Sequence, residues 1–115
     1  MSNKMVWQEQ VSLKAIADGE LTLYSDKIPP GHIAMLEVIA ARGNAADTGE
    51  MISLGIEVNG VKHKLYSATN TYTDTVVLFT PRAHLKENDR VFAEFEAAND
   101  GEVLILTVNG YYEKV

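Results

Sequence analysis

Asn59-Gly60 is flanked on both sides by runs that alternate apolar and polar residues, and no other feature constrains this chain as much. In "MISLGIEV", Ile52, Leu54, Ile56 and Val58 fall on one side, with Ser53, Gly55 and Glu57 on the other. In "VKHKLY", Val61, His63 and Leu65 alternate with Lys62, Lys64 and Tyr66. A period of two is that of a half-buried strand. Asn-Gly supplies the two positive φ angles of a type I′ turn, so the segment is expected to be a β-hairpin. Gly55, inside the first strand, is expected to mark a bulge or a close backbone approach.

The same period recurs along the chain. "ELTLYS", "HIAMLEVIAA", "DTVVLFTP", "RVFAEFEA" and "EVLILTVNGYYEKV" all read as strands. Pro29, Pro30 and Gly31 cannot continue a ladder, so "DKIPPG" is a loop or an edge. Pro81 stops the strand before it, and "NDGE" turns the chain into a closing hairpin. Residues 1–18 leave two readings open. Trp7, Val11 and Ala15 are spaced for a short helix, whereas Val11 and Leu13 alternate as in a strand. The strand is preferred, because "LTLY" follows an Asp18-Gly19 turn and would complete a hairpin. About eight short strands separated by turn signals predict an all-β fold, an antiparallel β-sandwich of jelly-roll type. The expected organisation is one domain over residues 1–115, with 1–18 as its first strand or an N-terminal arm.

Composition removes several classes of function. The formal net charge is −6, and Lys62 and Lys64 are the nearest approach to a basic block. Phosphate backbones need Lys and Arg concentrated on one surface, so nucleic acid is not an expected partner. There are no cysteines, which excludes disulfides, thiolate metal sites and thiol chemistry. "IAMLEVIAA" and "VLILTV" are far too short to span a bilayer, and "MSNKMVWQEQ" lacks the apolar run of a secretion signal. The expectation is a soluble protein made in the cytoplasm.

Catalytic and metal motifs are sparse. His32, His63 and His84 are far apart in sequence, and lysines flank His63. Two clusters offer hard oxygen ligands: Asn44, Asp47, Thr48 and Glu50 in "NAADTGE", and Asn99, Asp100 and Glu102 in "ANDGE". Neither has the spacing of a calcium loop, and the same residues are ordinary turn formers. No serine sits in Gly-x-Ser-x-Gly, and Glu94 and Glu96 look directed to solvent. The expectation is therefore no enzyme, no metal and no cofactor. A small metal-dependent jelly-roll enzyme is kept as a remote alternative.

Two features point to contact with a partner. "SATNTYTDT" joins two strands and sets Tyr72 beside Asn70 and Asp74, with Tyr66 close before them. Such a stretch can be a plain polar loop, a protein contact, or a sugar-binding edge in which a ring stacks on the ligand and polar groups fix its hydroxyls. The second feature is an excess of apolar side chains. In "HIAMLEVIAA" strict alternation leaves Ile33, Met35 and Ile39 opposite Ala34, Leu36 and Val38. Phe92 likewise falls opposite Val91, Ala93 and Phe95, and of Tyr111 and Tyr112 one must face outward. A strand that is apolar on both faces is covered on both. Met35, Ile39, Phe92 and Tyr112 are thus the candidate oligomer interface. Coverage by the N-terminal segment with Trp7 is the rival explanation.

"IPPGHIAMLEVIAARGN" and "LFTPRAHLKENDRVFAEFEAANDGEVLILTVNGYYEKV" together resemble the accessory β-sandwich proteins of tailed bacteriophages and prophages, namely decoration, head-fibre and tail-associated modules. In these a Pro-Gly loop enters a central strand, and a late corner leads into a closing hairpin. The resemblance covers the chain from about residue 20. It implies a structural role in a virion, commonly as a homotrimer, with other virion proteins as partners. It carries over no functional residues. The alternative is a carbohydrate-binding module using Tyr66, Asn70, Tyr72 and Asp74.

Overall fold

The computed structural model describes residues 4–44, 50–70 and 76–115, with the side chain of Asn70 left out. Tyr72 and Asp74 lie outside the described residues. Nine strands occur among the described residues: β1 (Lys4–Lys14), β2 (Gly19–Tyr24), β3 (His32–Gly43), β4 (Glu50–Val58), β5 (Val61–Asn70), β6 (Val77–Phe79), β7 (Ala83–Leu85), β8 (Arg90–Ala98) and β9 (Val103–Lys114). They form two antiparallel sheets. One runs β1-β9-β3-β6, with β7 also paired to β3, and the other runs β2-β8-β4-β5. The chain crosses between the sheets after β1, β2, β3, β5, β7 and β8 and stays within one sheet at β4–β5 and β6–β7, the winding of a jelly roll. The expected eighth strand count becomes nine because Pro81 and Arg82, at φ 49°, break one edge strand into β6 and β7.

The hairpin at Asn59-Gly60 is present, with φ of 53° and 77° at the two turn residues. β4 pairs with β5 through Val58↔Val61. The other two expected hairpins are corrected. β1 pairs with β9 and β2 with β8, so the chain crosses between sheets at residues 15–18, and it crosses again between β8 and β9. These turns are fixed by long-range bonds rather than by a ladder: Ala15 N–H donates to the Glu102 carbonyl and Gly101 N–H to that of Ala15. The N-terminal segment is a strand of the sheet itself, and it does not lie over the sheet's outer face.

Between the sheets lie Leu23, Ala34, Leu36, Ile39, Ile52, Leu54, Val91, Phe95, Leu104, Leu106 and Val108, all buried. Trp7 joins them and stacks on Tyr112 with ring centroids 5.1 Å apart. The double apolar character of β3 has a local cause. Its register against β9 shifts between Leu36 and Val38, leaving Glu37 as an extra, exposed residue. A bulge of one residue reverses the alternation beyond it. Ala34 and Leu36 face the core before the bulge; Ile39 and Ala41 face it afterwards. Ile39 is therefore a core residue, completely buried, and its outward assignment is corrected.

Gly55 carries both expected features. The β4–β5 register shifts beside it, and a Cβ there would run into the His63 carbonyl and the Phe92 ring. The missing side chain lets Phe92 lie flat on the outside of its own sheet.

Candidate assembly face

The outer surfaces of the two sheets differ in chemistry. On the β2-β8-β4-β5 sheet the outer face is tied up by charge. Lys62 and Lys64 both reach Glu94, at 3.0 and 2.9 Å. Those two bonds hold the Glu94 carboxyl below its ordinary pKa and raise both lysines. Arg90 donates from Nε to Glu57 at 2.8 Å and lays its guanidinium 3.7 Å over the Tyr24 ring. Ser53 and Ser67 share a 2.7 Å hydroxyl bond. Such a face is complete as a solvated surface.

Phe92 sits within that network. It is completely buried beneath the chain's own atoms, with Lys62 Nζ 5.7 Å from its ring centre and Tyr24 opposite it in register. The expectation of Phe92 as an exposed contact is corrected, because Gly55 and the Lys62 stem cover it. Tyr112 is corrected in the same way. It points inward, half-buried against Trp7, with His32 edge-on at 6.4 Å. Burial, then the charges of Glu9 and Asp26, push its hydroxyl above the ordinary tyrosine value.

The β1-β9-β3-β6 sheet turns a different face outward. In register across it lie Val6 and Tyr111, then Tyr111 and Met35, with Val38 opposite Asn109, Ala40 opposite Thr107 and Arg42 opposite Ile105. Val6 is 76% exposed, Ile33 37% and Leu78 54%. Met35, Val38, Ala40, Ile105 and Tyr111 are half-exposed. Lys4, Lys14, Arg42 and Glu113 mark the ends of this face, and Lys4 Nζ sits 4.6 Å over the Tyr111 ring. Between those ends the face is apolar or neutral apart from the bulge residue Glu37 and His84 on β7. Four strands about 4.8 Å apart and about 38 Å long offer roughly 700 Å². That is close to the ~800 Å² that each partner buries in a standard interface. Of the four interface residues read from sequence, Met35 is on this face. Of the Tyr111–Tyr112 pair it is Tyr111 that faces outward; Val6 and Val38 went unnoticed, Val38 because the bulge reverses the alternation.

The tyrosine-rich edge is less open than expected. Tyr66 stacks on Phe79 across the gap between the sheets, with centroids 5.2 Å apart and planes within 4°. The contact closes the sandwich beside β6, and it takes one ring face away from any sugar. The three histidines remain apart, on β3, β5 and β7. Among the described residues no three His, Cys, Asp or Glu side chains converge as a metal group. A shallow cavity of about 450 Å³ at one end is lined by Lys4, Met5, His32 and Lys114. No helix among the described residues is long and apolar enough to cross a membrane.

No protein-family model matches the sequence. No curated protein matches it either. Solved structures do. A chain in the acid-stable capsid of Helicobacter pylori bacteriophage KHP30 matches at 17% identity with a TM-score of 0.58, over 96% of this chain and 93% of that one. The STIV MCP matches at 12% identity and 0.54, over 93% of this chain and 41% of that one. The Drosophila NLP-core, described in terms of pentamer formation and histone binding, matches at 14% identity and 0.49, over 94% of this chain and 99% of its own. Winding, strand pairing and the KHP30 and STIV likenesses agree on the fold: the chain is an antiparallel jelly roll, similar to folds found in phage and viral capsids.

Proposed function

We propose that this chain is a non-enzymatic structural protein that assembles with copies of itself, in the manner of an accessory phage capsid jelly roll. The observation that carries the reading is the contrast between its two outer faces. One is closed by ion pairs; the other carries little charge and holds an apolar patch of Val6, Met35, Val38 and Tyr111, bordered by Gln8, Gln10, Ser12, Thr107 and Asn109. An exposed apolar patch rimmed by polar residues marks a contact site. A net charge of −6 opposes self-association, so copies meet where charge is sparse, and this face is the sparse one. The size match supports the virion part of the reading. The KHP30 chain is nearly coextensive with this one, as a small capsid component would be. A trimer is the favoured assembly.

The test is the solution molar mass by light scattering. The parent protein is expected to exceed one chain mass, with the trimer value favoured. Met35→Glu places a carboxylate in the middle of the patch and is expected to yield the monomer. A monomeric parent, or a variant that keeps the parent's mass, removes this face from consideration.

A further inference from the structure

The residue register brings the ends of β1, β3, β5 and β8 and the starts of β4 and β9 to one end of the sandwich. Among the described residues there, Asp18, Asp100 and Glu102 are acidic, and Lys14 and Arg42 stand near the ends of β1 and β3. Glu50 opens β4 at the same end. Glu50 of one oxygen-rich cluster and Glu102 of the other meet in space, and both are buried.

Glu50 is 8% exposed and Glu102 3%. Their carboxyls face each other, and the Ala97 backbone also binds Glu50. Glu102 accepts the Asn99 N–H at 3.0 Å through Oε1. Its Oε2 occupies space that a Cβ on Gly43 would fill. The two side chains hydrogen-bond each other, and among the described residues Glu50 Oε1 has no hydrogen-bond partner. A buried carboxylate oxygen without a donor is costly, and a second carboxylate beside it raises that cost. Asn44 Oδ1 lies at the same end, accepting the Val103 N–H at 2.7 Å. Around the pair lie carboxyl and amide oxygens, with the Ala97 and Asn99 backbone N–H groups as donors.

We propose that Glu50 and Glu102 seat a hard divalent cation, Ca²⁺ by preference, which pins the start of β4 to the β8–β9 turn. Calcium accepts irregular oxygen sets, whereas Mg²⁺ demands a near-octahedral one and sheds water reluctantly. Two carboxylates supply two ligands, with backbone oxygens and water completing the shell. A site of so few charged ligands belongs to the weak class, with Kd on the order of 10⁻⁴–10⁻³ M. Its effect is on stability and on the shape of the acidic end.

The experiment is thermal unfolding of the full chain, dialysed against chelator, at a pH of about 8 where ordinary carboxylates are ionised. Calcium chloride at about ten times Kd is expected to raise Tm by roughly 5 °C, with saturation. Sodium chloride at equal ionic strength is expected to do much less. Glu50→Gln and Glu102→Gln should each fold and each lose the calcium response. Calorimetric titration with calcium chloride should give one site in the parent and none in either variant. A parent that ignores calcium and gains Tm only on acidification shows a pair held by a proton alone, and overturns the proposal. So does an undiminished calcium response in Glu50→Gln.

Discussion

Glu50 carries an unusual charge burden. Burial, then repulsion from Glu102, push its carboxyl up to about 7 from an ordinary value near 4.5. A folded-state pKa above the unfolded one means that the folded protein holds the extra proton between those values. Stability from this group is therefore fully present below about 4.5 and is lost as pH rises through about 7. The full loss is roughly 3 kcal/mol. In calcium-free buffer, urea unfolding across that range should show the parent weakening as pH rises. Glu50→Gln, always neutral, should flatten that slope and should equal or exceed the parent at high pH. Glu94 slopes the other way, since its lowered pKa gives stability that fades on acidification, and the difference between parent and Glu50→Gln isolates Glu50. Gly55 is the second residue of consequence. Gly55→Ala forces a methyl into the His63 carbonyl and the Phe92 ring. Its expected cost is about 2–3 kcal/mol, read from the urea midpoint.

Among the elements, β3 shows how far sequence pattern reaches. Its period of two, its entry from Pro29-Pro30-Gly31 and its central place were all legible, as was the Asn59-Gly60 hairpin with its positive φ values. Legibility stopped at Glu37. A bulge adds a residue without any residue type that demands one, so strict alternation assigned Ile39 to solvent and missed Val38. The covering of Phe92 was equally hidden, since it depends on Gly55 and Lys62 arriving from strands distant in sequence. The meeting of Glu50 and Glu102 was hidden too, because each cluster alone reads as turn chemistry. Deleting Glu37 tests the bulge directly. Residues 38–43 would exchange faces, turning Ile39 and Ala41 outward and Arg42 toward the core. The expected result is a chain that lacks native near-ultraviolet circular dichroism, because burying an unpaired guanidinium exceeds what a domain of this size can absorb.

At the scale of the whole molecule, the two sheets divide the labour. The β2-β8-β4-β5 sheet settles its outer charges internally through Lys62, Lys64 and Glu94, and through Arg90 and Glu57. The β1-β9-β3-β6 sheet leaves its outer side sparse in charge, with an apolar patch around Met35. If assembly uses that side, a charge change on the ion-paired side is silent. Lys64→Glu is accordingly expected to keep the parent's molar mass by light scattering, where Met35→Glu loses it. Similar mass loss from both would mean that the contact lies elsewhere.

The pairing of β1 with β9 also bears on how the chain is made. Lys4 lies opposite Glu113, so the first strand finds its neighbour only when the last is complete. Only β4–β5 is a turn between neighbours in one sheet among the described strands. During synthesis, then, β1 must wait with open edges until β9 emerges. Closure should come late, slowly and all at once, as topologies built from distant contacts do.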